Sequence, residues 1–130
     1  MQILTHQSID HRLCGHPVQV ENGFSRVEMT TSPDMAADAS GLVHGGFIFG
    51  LADYAAMIAV NHPNVVLGAA DVKFLKPVRV AEAIVAEATV QEVQGKKHWV
   101  AATVKHADDI IFQGMFTCFV LEKHVLETQE

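Results

Sequence analysis

The sequence predicts an α+β domain in which a curved antiparallel sheet wraps one long central helix. Three observations carry this. Residues 44–61, "HGGFIFGLADYAAMIAVN", are apolar around the whole helical circumference except at Asp53, so this helix must be buried on most sides. Four later segments, 65–76, 83–93, 97–106 and 110–121, are β-like and are separated only by the short breaks "PVRVAE", "QGK" and "ADD". One alternating stretch, 23–32, precedes the helix. A sheet curved around a single helix satisfies both patterns.

Taken in order, residues 1–16 are polar and mixed and read as an arm or a short helix. Residues 23–32 alternate, with Phe24, Arg26 and Glu28 set against Ser25, Val27 and Met29, which predicts a strand. "SPDMAADASG", 32–41, is turn and loop chemistry. The helix follows and is stopped by "NHPN", 61–64. The four remaining strands are expected as hairpins in a meander. A single covering helix leaves a sheet edge bare, and a second subunit is the natural way to finish it.

Composition narrows the function classes. A chain of 130 residues is one domain, 1–130, and 49% hydrophobic with 18% charged residues is globular rather than disordered. A net charge of −6 with no basic cluster beyond Lys96-Lys97 argues against a nucleic-acid partner. Cys14 and Cys118 form no CxxC and no zinc spacing, so reduced thiols in a cytoplasmic protein are expected. The N-terminus, "MQILTHQSIDHRLCGHP", has no apolar core of a signal peptide. The 42–60 stretch is interrupted by His44, three glycines and Asp53, which predicts burial in protein and not in a membrane. His6, His11, His16, His62, His98, His106 and His124 lack metal-ligand spacing and are assigned to the surface; no metal site is expected.

Asp53 is the chemical anomaly, a lone carboxylate in the most hydrophobic segment. An isolated buried charge is costly, so it must be paired, hydrated or used.

The run D-x-x-G-L-V-H-G-G-F-I-F-G-L-A-D, from Asp38 to Asp53, followed by "ADVKFLKPV" at 70–78, resembles the hotdog-fold acyl-CoA thioesterases. The resemblance is to the PaaI-type branch in particular, which includes phenylacetyl-CoA and 4-hydroxybenzoyl-CoA thioesterases. It covers residues 18–121 in element order and is specific in motif over 38–53 and 70–79. It implies a catalytic carboxylate at Asp53, acting as nucleophile or as general base on water. It also implies that Gly45 offers its backbone N–H to the thioester carbonyl oxygen, with His44 and Asp38 framing the site. The chemistry fits these types: a helix N-terminus has unpaired N–H donors and partial positive charge for an oxyanion, and the missing side chains of Gly45 and Gly46 let a ligand approach. Phe74, with Phe47, Phe49, Tyr54 and Met57, is a candidate wall of an acyl chamber or simply core. Lys73, Lys76 and Arg79 are either a solvated strand edge or contacts to coenzyme A phosphates. Two positions depart from the family: Asp38 stands where relatives carry Asn or Gln, and Met57 where some carry a hydroxyl.

Eight residues at ~1.5 Å each separate Gly45 from Asp53 by ~12 Å along one helix. Groups acting on one carbonyl carbon must lie within a few ångströms of it, so one subunit cannot easily supply both. Two antiparallel helices across a dimer can, which is the arrangement the resemblance implies. The expectation is therefore a homodimer or homotetramer hydrolysing an acyl-CoA, with composite sites and no cofactor beyond the coenzyme A of the substrate. The alternative from another class is a non-catalytic acyl-CoA sensor. A hotdog dehydratase would need a His base in a different loop motif, which the sequence lacks.

Overall fold

A computed structural model describes residues 1–128 of the chain; of the expected domain 1–130, the last two residues lie outside the described ones. The elements are α1 (His11–Cys14), β1 (His16–Glu21), β2 (Phe24–Thr30), α2 (Gly45–Val60), β3 (Val65–Phe74), β4 (Ala83–Gln94), β5 (Lys97–His106) and β6 (Asp109–Val120), with 3-10 turns at Pro33–Met35 and Val125–Thr128. The six strands form one antiparallel sheet in the order β1-β2-β4-β5-β6-β3, with α2 packed mainly against β2, β4 and β5. This is the hotdog architecture that the sequence predicts.

Period-two burial explains the fit. Ile84, Ala86 and Ala88 of β4, Val100, Ala102 and Val104 of β5, and Val27 and Met29 of β2 are all buried on the concave face. Several of these are alanines, and so are Ala52, Ala55, Ala56 and Ala59 of the helix, which are equally buried. Small residues on both surfaces let the helix axis lie close to the sheet. Ser25, fully buried, donates from its hydroxyl to Ala55 O at 2.6 Å and satisfies the polar group it places in that contact. Asn61 ends the helix in the left-handed conformation, and its amide clamps the N-terminal arm. Leu4 N donates to Asn61 Oδ1 and Asn61 Nδ2 donates to Gln2 O, both at 2.8 Å.

Two expectations are corrected. Residues 17–21, assigned no structure from sequence, join His16 of the expected arm in edge strand β1; Val18 and Val20 do alternate there, but Pro17 and the exposed surroundings hide the signal. The last four strands are not one meander. β4, β5 and β6 are, but β3 pairs with β6 at the far edge and β4 pairs with β2. The segment linking β3 to β4 is too long for a tight hairpin and contains Pro77. It crosses beneath the start of α2, where Val78 is buried and its carbonyl accepts from Val43 N at 2.9 Å.

That crossing leaves β3 paired on one side only, with residues 68–71 exposed. One stripe of α2 is also uncovered. Gly46 is exposed, Phe49, Gly50 and Asp53 are half-buried, and apart from Gly50's chain neighbours and the helix's own backbone no described atom lies within 4 Å of where a Gly50 side chain would begin. These positions recur at helical spacing and therefore share one face.

Candidate active site

The loop before α2 is fixed by the chain it crosses. His44 N donates to Met35 O at 2.8 Å, and a short bridge joins Leu42 to Arg79. These bonds set His44 as the extended residue that opens the helix, with φ −63° and ψ 131°. Its side chain makes no capping hydrogen bond. The imidazole instead lies over Gly46, where an added Cβ would stand 3.0 Å from Cδ2 and from Nε2, and meets Phe47 edge-on at 6.1 Å. Gly45 is thus the first helical residue, and its N–H has no acceptor within the helix. The macrodipole adds positive potential at the same point, the requirement for an oxyanion site.

Gly45 opens onto a cleft of about 320 Å³ walled by Ile48, Phe74, Leu75 and Val78, with Lys76 at its rim. The structure therefore brings Gly45, Phe74 and Lys76 together. The Lys76 ammonium pairs with Asp109 at 3.1 Å, and both side chains are largely in solvent. Lys73 points to the other face of β3, into a shallow recess shared with Asp71, Thr103 and Gln113. Arg79 is exposed beside the loop; its N–H donates to Glu82 Oε1 at 2.6 Å. Asp38 is exposed, and its Oδ1 accepts from Ser40 N at 2.9 Å and from Ser40 Oγ at 2.6 Å, which holds its carboxyl below the usual range.

Asp53 lies on the uncovered stripe of the same unbroken helix, ~12 Å beyond Gly45. Its Oδ1 is inaccessible and, among the described residues, accepts no hydrogen bond. Burial alone pushes its carboxyl up to about 6, because the ionised form loses hydration and gains no partner. A carboxylate of that basicity is still ionised at neutral pH and is a stronger proton acceptor than an ordinary Asp. Burial, with a smaller contribution from the charge of Asp53, pushes the buried Cys118 thiol up to about 12, which leaves that sulfur unreactive.

Four histidines assigned to the surface from sequence are half-buried: His6, His62, His98 and His106. His6 Nδ1 lies 2.8 Å from Thr5 Oγ1, and His98 Nδ1 is buried without a partner among the described residues. Nothing in a lone His within a polar run signals such burial. The contact of Phe74 with Gly45 was also illegible, since it depends on where β3 ends relative to the helix. Among the described residues no three His, Cys, Asp or Glu side chains come together as metal ligands, and no helix is long and apolar enough to cross a membrane.

The fold agrees with what comparison with known proteins gives. Residues 40–112 match the thioesterase superfamily, and the chain belongs to that family. A structure of an uncharacterised protein, PH1136, from Pyrococcus horikoshii superposes with a TM-score of 0.95 at 48% identity over 97% of both chains. The PaaI protein of Escherichia coli shares the fold, with a TM-score of 0.79 at 22% identity over 86% of this chain and 83% of that one. Among curated relatives, a methylthioribose-1-phosphate isomerase of Aquifex aeolicus is 50% identical over 94% of this chain. The transcription factor FapR of Caldanaerobacter subterraneus is 30% identical over 82% of it. The chain spans only 27% and 52% of the lengths of those two relatives.

Proposed function

We propose that two copies of this chain, in the cytoplasm, hydrolyse an acyl-CoA thioester at composite sites. Gly45 N–H of one copy holds the carbonyl oxygen, and Asp53 of the other acts as nucleophile or general base. The observation that carries this reading is Asp53, half-buried on the uncovered stripe of α2, with an inaccessible Oδ1 that has no partner among the described residues. A group so costly to bury, facing a surface that needs a second copy, matches a site completed by that copy. The half-paired strand β3 supplies the edge along which the copy adds. In the general-base form, Asp53 takes a proton from water as the water oxygen bonds to the carbonyl carbon. The carbon–sulfur bond then breaks, and coenzyme A leaves as the thiol, taking up that proton. His44 and Gly46 shape the floor of the oxyanion site, Asp38 stiffens the loop that presents it, Phe74 lines the cleft, and Lys76 and Arg79 face the phosphates of the coenzyme. No resident cofactor or metal enters these steps.

The similarity to FapR favours a second reading, a ligand-sensing module that binds acyl-CoA without turnover. A thiol-release screen across acyl-CoA thioesters separates the two. Hydrolysis that Asp53→Asn suppresses supports the enzyme; binding without thiol release in the wild type supports the sensor.

The pH profile is a further test. The ionised carboxylate is the active form, so kcat/KM rises about tenfold per pH unit below about 6 and is level above it. A profile flat from pH 4.5 to 8 contradicts the role of Asp53.

A further inference from the structure

The ring of Phe74 stands against the backbone of Gly45. A Cβ built on Gly45 would lie 3.1 Å from Phe74 Cε1, 3.5 Å from Cδ1 and 3.6 Å from Cζ. One side of the ring packs edge-on against the fully buried Phe112, with centroids 5.0 Å apart, yet Phe74 remains 53% exposed. The backbone beneath it is pinned, because Leu75 N and Lys76 N both donate to Ile111 O, at 2.8 and 3.3 Å. A large apolar ring is thus held beside a helix N-terminus and spends half its surface on solvent.

A carbonyl oxygen accepting from Gly45 N–H lies about 3 Å from that nitrogen, and the carbonyl carbon about 1 Å further. Two atoms are bonded to that carbon, and whichever lies on the Phe74 side of Gly45 meets the ring. One is the thioester sulfur, which has the same slim form in every thioester. The other is the acyl α-carbon, which is the only one that varies in bulk. We propose that Phe74 is the specificity-determining wall of the site and restricts it to acyl groups that are unbranched at the α-carbon. This rests on the thioesterase reading above and adds to it the shape of the substrate. A straight-chain acyl group presents a methylene to the ring edge; an α-branched or directly aromatic acyl group presents a second carbon where the ring already stands.

The test compares propionyl- and hexanoyl-CoA with isobutyryl- and benzoyl-CoA in the wild type, Phe74→Ala and Phe74→Leu, each checked by thermal melting. The wild type is expected to favour the straight chains at least ~10-fold in kcat/KM, the scale set by one misplaced methyl or methylene in an apolar pocket. Phe74→Ala should bring that ratio to within about twofold of unity, with Phe74→Leu in between. The same ratio is read by calorimetric binding of the corresponding ketone analogues, in which a methylene replaces the sulfur, so the measurement does not require turnover. Phe74-dependent selectivity in binding without any thiol release removes the enzyme reading and keeps the wall. Turnover with a ratio unchanged by Phe74→Ala overturns the wall and keeps the enzyme. Absence of both binding and turnover overturns both.

Discussion

On the proposed mechanism, Asp53→Asn is expected to lower kcat for thioester hydrolysis about 10³-fold and to leave the fold intact, a loss within the range for removing a general base or nucleophile. The amide fills the same volume but neither accepts a proton from water nor attacks a carbonyl. Stability should move the other way. The folded carboxyl titrates near 6 and the unfolded one near 3.8, so between those values the unfolded chain releases its proton first. Stability that is present below pH 4 is therefore lost as pH rises through 6, by an amount on the order of 2 kcal/mol. Asparagine carries no such penalty. Above pH 6 the variant should melt at or above the wild-type temperature while being nearly inactive. A variant that is inactive only because it melts early would instead assign Asp53 to structure.

Gly45→Pro is the second large effect, and it tests the opposite end of the site. Proline at the first helical position removes an N–H that has no intrahelical acceptor and fixes φ near the helical value, so the helix tolerates it. His44, at ψ 131°, already has the conformation that a following proline demands. The added Cβ would stand 3.1 Å from Phe74 Cε1, a contact relieved by a shift of a few tenths of an ångström that leaves the ring in place as a wall. The expected result is a loss of ~10²–10³ in kcat, the scale of one oxyanion donor, with little change in the melting temperature. Full activity in a folded Gly45→Pro protein would remove the amide from the mechanism.

Much of this is legible in the sequence. A helix apolar all round and strands with period two leave few architectures, and the helix expected over 44–61 with its stop at "NHPN" is observed over Gly45–Val60. The cost of Asp53 was legible because hydrophobic neighbours at every helical spacing leave a carboxylate nowhere to be hydrated. What stayed hidden depends on pairing between distant segments. β1 is an exposed edge strand bearing a proline, so neither burial nor propensity marks it. The position of β3 beside β6 follows from where the 75–82 link crosses, and hydrophobic pattern does not encode neighbour order. The separation of Lys73 from Lys76 onto different surfaces follows from the end of β3 falling between them, at Phe74. The engagement of Asp38 by Ser40 is a local turn that "DAS" permits but does not announce.

In the proposed mechanism each site borrows Asp53 from one copy and Gly45 from the other. Copies carrying Asp53→Asn and copies carrying Gly45→Pro, marked with two different affinity tags, are combined and the mixed dimers isolated by sequential capture. Each mixed dimer then holds one site with both defects and one with neither. The account predicts about half of wild-type activity from two nearly inactive parents, since one of two equivalent sites is restored. Mixed dimers no more active than either parent would mean that both groups serve within one chain, and would contradict it.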